Sequence, residues 1–188
     1  MSTFNRRDFI KTGGVVAAGL LYLPSCVSKM KEEASYRFFT LDEAMCVMAL
    51  CEQIIPADDE FGGATDAGVI FYIDRQLSGL LNQHGASYRE NLEKLQAYCN
   101  NEFEKQFQDL SSAEQIDVMK MMEGNHFETS FWERPSAFFR LIVSHTMQGY
   151  YGSPIHGGNK DYMSFNMLKL DYPLNIGQNR YRKPLHEL

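Results

Sequence analysis

Between Thr40 and Gly149 the apolar residues recur every three or four positions, and no stretch of useful length alternates every second one. A three-and-four spacing places side chains on one stripe of a helix, whereas strands need alternation. Leu41, Ala44, Met48, Cys51 and Ile55 form the first such stripe, behind Thr40 as N-cap and ahead of Pro56, which stops it. Thr65 or Asp66 is expected to cap a second helix carrying Val69, Tyr72, Ile73, Leu77 and Leu80. A third runs from about Ser87 to Phe107, with Tyr88, Leu92, Leu95, Cys99 and Phe103 on its stripe. Ser111-Ser112-Ala113-Glu114 reads as a capping box opening a fourth, with Ile116, Met119 and Met122 or nearby apolar positions inward. Pro135 suits the first turn of a fifth, which continues through Phe138, Leu141, Ile142 and His145 and is expected to end at Gly149. Beyond Tyr150 the periodicity fails. The pattern predicts an all-α fold, a small helical bundle with a long irregular C-terminal segment.

The residues ahead of this bundle follow a different logic. Asn5-Arg6-Arg7-Asp8-Phe9-Ile10-Lys11 leads into a weakly apolar, glycine-containing run from Thr12 to Leu23. A basic start, a short apolar stretch and a small-residue exit fit a removable signal better than a span of roughly 20 apolar residues. The pair Arg6-Arg7 with Phe9-Ile10-Lys11 resembles the twin-arginine export signature. Leu23-Pro24-Ser25-Cys26 resembles a lipobox, which would make Cys26 the acylated first residue of the mature protein. The expected organisation is a signal peptide over 1–25, a polar linker over 26–39 and a helical domain over 40–188. Its location is then the periplasmic side of the cell envelope, lipid-anchored and exported by the twin-arginine route.

Charge narrows the partners. The whole chain carries −6; Arg6, Arg7 and Lys11 against Asp8 give the signal +2, so the remainder carries −8. Such an acidic chain has no electrostatic footprint for nucleic acid or an anionic membrane surface. Thirteen Phe and ten Tyr supply large aromatic pieces for a core and for an interface.

Few residues are arranged for chemistry. Apart from Cys26, the cysteines are Cys46, Cys51 and Cys99. Cys51 and Cys99 lie on core stripes of different helices and could meet as a disulfide; the alternative is two or three buried thiols. No Cys-x-x-Cys or Cys/His cluster offers metal or haem ligands. His126 and Glu128 form the one close His–acid pair, and Asp58-Asp59 follow a proline as turn residues do. Nucleophile-elbow, phosphate-loop and dinucleotide motifs are missing. No catalytic, cofactor-binding or metal residues are therefore assigned to this chain.

The segment Gly149-Tyr150-Tyr151-Gly152-Ser153-Pro154-Ile155-His156-Gly157-Gly158-Asn159-Lys160-Asp161-Tyr162 joins three aromatics to glycines and a proline. Aromatics supply packing and glycines allow positive φ, a recipe for a loop of fixed shape. It reads either as a docking surface or cofactor-edge loop, or as a cap on the bundle. As a partner interface its candidate residues are Tyr151, Gly152, Pro154, His156, Gly157, Gly158, Asn159 and Phe165.

Three segments carry a family resemblance: 51–59 (Cys51-Glu52-Gln53-Ile54-Ile55-Pro56-Ala57-Asp58-Asp59), 63–77 (from Gly63-Ala64-Thr65-Asp66-Ala67-Gly68 to Leu77) and 151–161 (Tyr151-Gly152-Ser153-Pro154 to Asp161). In this order, behind a twin-arginine start, the chain resembles the small subunit of membrane-bound gluconate 2-dehydrogenase, the subunit 3 family. The family more often has an aromatic where His156 stands and a tryptophan where Phe165 stands. The resemblance implies a non-catalytic subunit that assists export and folding of a large flavin dehydrogenase subunit of the glucose–methanol–choline type. FAD is expected in that partner, none in this chain, with a cytochrome c subunit as onward electron acceptor. The rival reading is an independent periplasmic lipoprotein that binds or oxidises sugars itself.

Overall fold

The computed structural model describes residues 36–170, so Arg6, Arg7 and Cys26 lie outside the described residues. Among these residues there are six α-helices and no strand: α1 (Leu41–Ile54), α2 (Val69–Leu77), α3 (Gly85–Phe103), α4 (Ser112–Gly124), α5 (Pro135–Tyr151) and α6 (Met163–Met167). Helix α5 is the hub, packing against α4, α2, α1 and α3. None of these helices is long and apolar enough to cross a membrane.

Local chemistry sets the boundaries. Thr40 caps α1 by accepting from Glu43 N at 3.3 Å, and Glu43 returns to Thr40 N at 2.8 Å. Ser111 and Glu114 make the same reciprocal pair at α4. Each box satisfies two orphan N–H groups that the first turn cannot pair internally. Helix α2 starts later than its sequence suggests, because Gly68 at φ 68° bends the chain into it. Thr65 and Asp66 instead sit in the preceding turn, where the Asp66 carboxylate accepts from Gly63 N at 3.1 Å.

Four expectations from periodicity need correcting. Leu80 lies past the end of α2 and is 84% exposed. Helix α3 stops at Phe103, since Glu104 turns left-handed at φ 56°, and Phe107 is buried from a separate 3-10 turn, Phe107–Asp109. Ile116 is exposed while its neighbour Val118 faces the core. Gly149 does not end α5 but lies within it, pressed against Val69 and Tyr72 of α2.

The cysteine pairing is also corrected. Cys46, Cys51 and Cys99 are free, buried thiols. Cys51 Sγ faces α5, 3.2 Å from the Thr146 hydroxyl, which donates back to the Ile142 carbonyl. Its side chain is thus turned to α5 rather than to Cys99 on α3. Burial pushes the Cys51 and Cys99 thiols up to about 12, and Cys46 well above its ordinary value.

The polar linker ends sooner than Phe39. Tyr36 stacks on Phe71 and reaches Met48 Sδ at 3.8 Å, and Phe39 is buried against Tyr88. The anchor of this segment is Asp74 on α2, only 3% exposed. Its carboxylate accepts the backbone N–H groups of Arg37 (2.8 Å), Phe38 (2.9 Å) and Phe39 (3.1 Å). Arg89 of α3 secures the other side, donating to the Phe38 carbonyl at 2.9 Å with its guanidinium over the Phe38 ring.

Where α3 meets α5, Tyr88 stacks on buried His145 and shares a 2.9 Å hydrogen bond with its Nδ1, while His84 lies edge-on to the same ring. Burial, with His84 adding to it, lowers the His145 pKa from 6.5 to about 4. The neutral ring is therefore the one the fold holds. A depressed pKa contributes stability that is complete above the unfolded value and is lost as pH falls through the folded one. Stability should decline between pH 6.5 and 4 by on the order of 3 kcal/mol, from this residue alone. Chemical denaturation of wild type and His145→Gln across that range checks it; parallel curves would remove His145 as the cause.

Candidate functional site

The aromatic–glycine segment is built onto the end of the α2–α5 pair. Helix α5 closes at Gly152, whose N–H donates to the Gln148 carbonyl at 2.9 Å. A 3-10 turn, Pro154–His156, follows and ends at Gly157, where φ is 110° and the chain lies against the Arg75 side chain of α2. Gly158 sits directly on the Gly149 backbone, so any side chain there would overlap the Gly149 carbonyl. The two glycines let α2, α5 and the loop approach at backbone distance.

Asn159 is the pin. It is fully buried and left-handed at φ 48°. Its Nδ2 donates to the Gly152 carbonyl at 2.8 Å and its Oδ1 accepts from Ser164 N at 2.9 Å. One side chain thereby closes both ends of the loop, and Lys160 N adds a bond to the Ala67 carbonyl at 3.0 Å. Asp161 and Tyr162 also have positive φ, 55° and 57°. Such conformations are uncommon outside glycine and persist only where surrounding contacts hold them. Helix α6 then returns Phe165 into the domain at 5% exposure.

These positions divide the sequence-derived interface residues. Gly158, Asn159 and Phe165 are interior, so the expectation that they meet a partner is corrected: their contacts are used within this chain. Gly152, Pro154 and Gly157 are half-buried and shape the turn. Tyr151, at 36% exposure, and exposed His156 remain on the surface. Sequence reading missed Ile155, 79% exposed at the tip of the turn, and Met147, 43% exposed one turn earlier on α5. Tyr151 is braced edge-on by Tyr150, whose hydroxyl donates to the Gly62 carbonyl at 2.7 Å.

The other candidates fall apart as a chemical centre. Among the described residues no three His, Cys, Asp or Glu side chains converge on a point where a metal ion would sit. The Asp58 carboxylate accepts from Glu60 N at 2.8 Å and Phe61 N at 2.7 Å, and these bonds lower its pKa. It is a turn-former, as its place after Pro56 suggested. Asp74 and Arg89, the residues that fix the start of the domain, were not singled out. The available signal was position: Asp74 follows core Ile70 by four and precedes core Leu77 by three, a register that buries a carboxylate.

Comparison with known proteins places this architecture. No curated protein and no solved structure matches the chain. A twin-arginine translocation signal model matches residues 3–21, which include Arg6 and Arg7, so the chain carries an export signal. The model of gluconate 2-dehydrogenase subunit 3 matches residues 41–171, from the first residue of α1 past the end of α6. A match that takes in all six helices, the Gly68 turn and the Asn159-pinned loop means that this chain belongs to the gluconate 2-dehydrogenase subunit 3 family.

Proposed function

We propose that this chain is the non-catalytic small subunit of a flavin-dependent sugar or polyol dehydrogenase of the glucose–methanol–choline type. In this reading it carries the large FAD subunit out by the twin-arginine route, assists its folding, and holds it at the membrane through acylated Cys26. Electrons leave the large subunit for an acceptor such as a cytochrome c subunit. The observation that carries the reading is the union, on one chain, of an export signal and a domain matched over residues 41–171 by a dehydrogenase-subunit family.

The docking surface in this reading is the exposed tip of the Asn159-pinned loop: Tyr151, Ile155 and His156, with Met147 beside them. A loop already fixed by glycine packing and an asparagine pin loses little freedom on association. An anchor that fills a pocket at an interface centre, above all an aromatic one, can contribute about 2 kcal/mol or more, whereas rim charges contribute little.

Co-expression with the large subunit tests both proposals at once. Ile155→Glu should leave the melting temperature of this chain nearly unchanged, as exposed substitutions do, while complex yield and sugar-oxidising activity fall together by roughly thirtyfold. Phe165→Ala should do the reverse in kind, destabilising the chain by about 3–5 kcal/mol through the lost ring. If Ile155→Glu and Tyr151→Ala leave complex yield intact, docking occurs elsewhere. Sugar oxidation by the purified chain alone, with an artificial acceptor, would replace the subunit reading with the independent-lipoprotein one.

A further inference from the structure

Arg75 of α2 is exposed, yet its side chain is held in place. A Cβ built on Gly157 would lie 3.0 Å from its Nη1, 3.1 Å from its Cδ and 3.2 Å from its Cζ, so the side chain rests against bare Gly157 backbone. At φ 110° that position already favours glycine, and this contact is a second reason for one. Among the described residues Arg75 makes neither an ion pair nor a side-chain hydrogen bond, whereas exposed Arg89 pairs with Glu43 at 2.9 Å. We propose, resting on the subunit reading above, that Arg75 is the charged anchor of the docking surface and that the large subunit meets it with an Asp or Glu carboxylate.

Three observations carry this. The first is place. Gly157 is two residues past Ile155 and closes the same turn, donating its N–H to the Pro154 carbonyl at 3.0 Å. A partner surface that covers the Ile155 tip therefore reaches Arg75 as well. The second is that the carboxylates beside Arg75 in the sequence of this region are already engaged. Asp74 accepts from the N–H groups of Arg37, Phe38 and Phe39, and Asp66 accepts from Gly63 N. The third is local charge. The whole chain has 24 acidic and 18 basic side chains, but over residues 147–162 the one carboxylate is Asp161, beside Lys160 and near His156.

These facts constrain the occupant. Covering a guanidinium without an acceptor leaves an uncompensated charge out of water, which is costly. Covering it with a carboxylate gives charge-assisted hydrogen bonds in a planar fork that lysine cannot reproduce. A guanidinium enclosed in this way is no longer a rim charge, and arginine is among the residues that dominate interface centres. Its rest on Gly157 lowers the cost of ordering a long side chain on association.

The test co-expresses the full chain with the large subunit and measures both capture and the melting temperature of this chain. Arg75→Gln keeps much of the stem that packs on Gly157 and removes the charge. Its melting temperature should stay near that of wild type, while capture falls by about thirtyfold. Arg75→Glu should lose more, because two carboxylates would then face each other. Arg75→Lys should keep part of the capture, and a water-soluble carbodiimide should couple its amine to an Asp or Glu of the large subunit, located by mass spectrometry. The wild-type complex should give no coupled product at position 75. Full capture by Arg75→Gln would overturn the carboxylate contact. Ile155→Glu in the same assay then separates the two failures: lost capture there keeps the docking tip, and retained capture removes it as well. A melting loss in Arg75→Gln that accounts for its lost capture, with no coupled product from Arg75→Lys, would make Arg75 a brace for the loop and overturn the contact too.

Discussion

Asp74→Ala should be among the most destabilising single substitutions in the domain, costing about 3–5 kcal/mol and lowering the melting temperature by roughly 10–20 °C. The carboxylate is 3% exposed and accepts three consecutive backbone N–H groups, from Arg37, Phe38 and Phe39. Alanine leaves those donors without partners, and each unsatisfied donor that stays buried costs about 1–3 kcal/mol. The chain can relieve this only by lifting residues 36–39 away, which also exposes Phe39 and strips Tyr36 from Phe71. Asp74→Asn is the discriminating control. Its remaining oxygen can still serve Phe38 and Phe39, both bound by Oδ1, while its amide meets the Arg37 N–H that Oδ2 now receives. About 1–2 kcal/mol should be lost there. Denaturant titration of both variants reads the difference, and a loss below about 1 kcal/mol for the alanine would mean the segment is held by its aromatics alone.

Much of the bundle was legible because its signals are local. Thr40, Ser111 with Glu114, and Pro135 act on the turn they sit in, and each begins a helix where the sequence places one. The stripe Tyr88, Leu92, Leu95 and Cys99 is buried throughout, as its spacing requires. The misses arose where a long-range contact outweighed a local preference. Gly149 looks like a terminator, yet α5 continues through it because α2 needs a position without a side chain. Phe107 looks like one more turn of α3, but Glu104 ends that helix and the ring is delivered to the core from a separate turn.

The loop was recognisable as a built object, though not which of its residues face outward. Composition foretold fixed shape, and Gly157, Gly158 and Asn159 provide it. Aromatic residues, however, serve cores and interfaces alike, and no spacing rule operates in an irregular segment. Phe165 therefore read as a surface anchor when it is a core residue, while Ile155, which does face solvent, drew no notice. Burial in such a segment depends on the Asn159 bonds to Gly152 and Ser164, which sequence separation alone does not reveal.

The route of export should matter to this chain as much as the fact of it. Replacing Arg6 and Arg7 with lysine should strand the precursor in the cytoplasm, since the signal is read by a receptor rather than by hydrophobicity alone. Swapping in a signal that exports unfolded chains should restore crossing but not the folded domain. The reason lies in Cys46, Cys51 and Cys99. In the fold all three are buried, and with thiols pushed up to about 12 for Cys51 and Cys99, their reactive thiolate at neutral pH is about a thousandfold scarcer than for an ordinary cysteine. An unfolded chain entering an oxidising compartment has no such protection, and disulfides form readily there. None would be native, because the folded domain keeps all three thiols free. Wild type should therefore yield three thiols that label only after denaturation. The rerouted chain should carry disulfides and give at least about tenfold less folded protein, with recovery in a host lacking the periplasmic thiol oxidant. A rerouted chain that folds with three free thiols in an oxidising host would show that burial is faster than oxidation, and that this chain's own folding does not need the twin-arginine route.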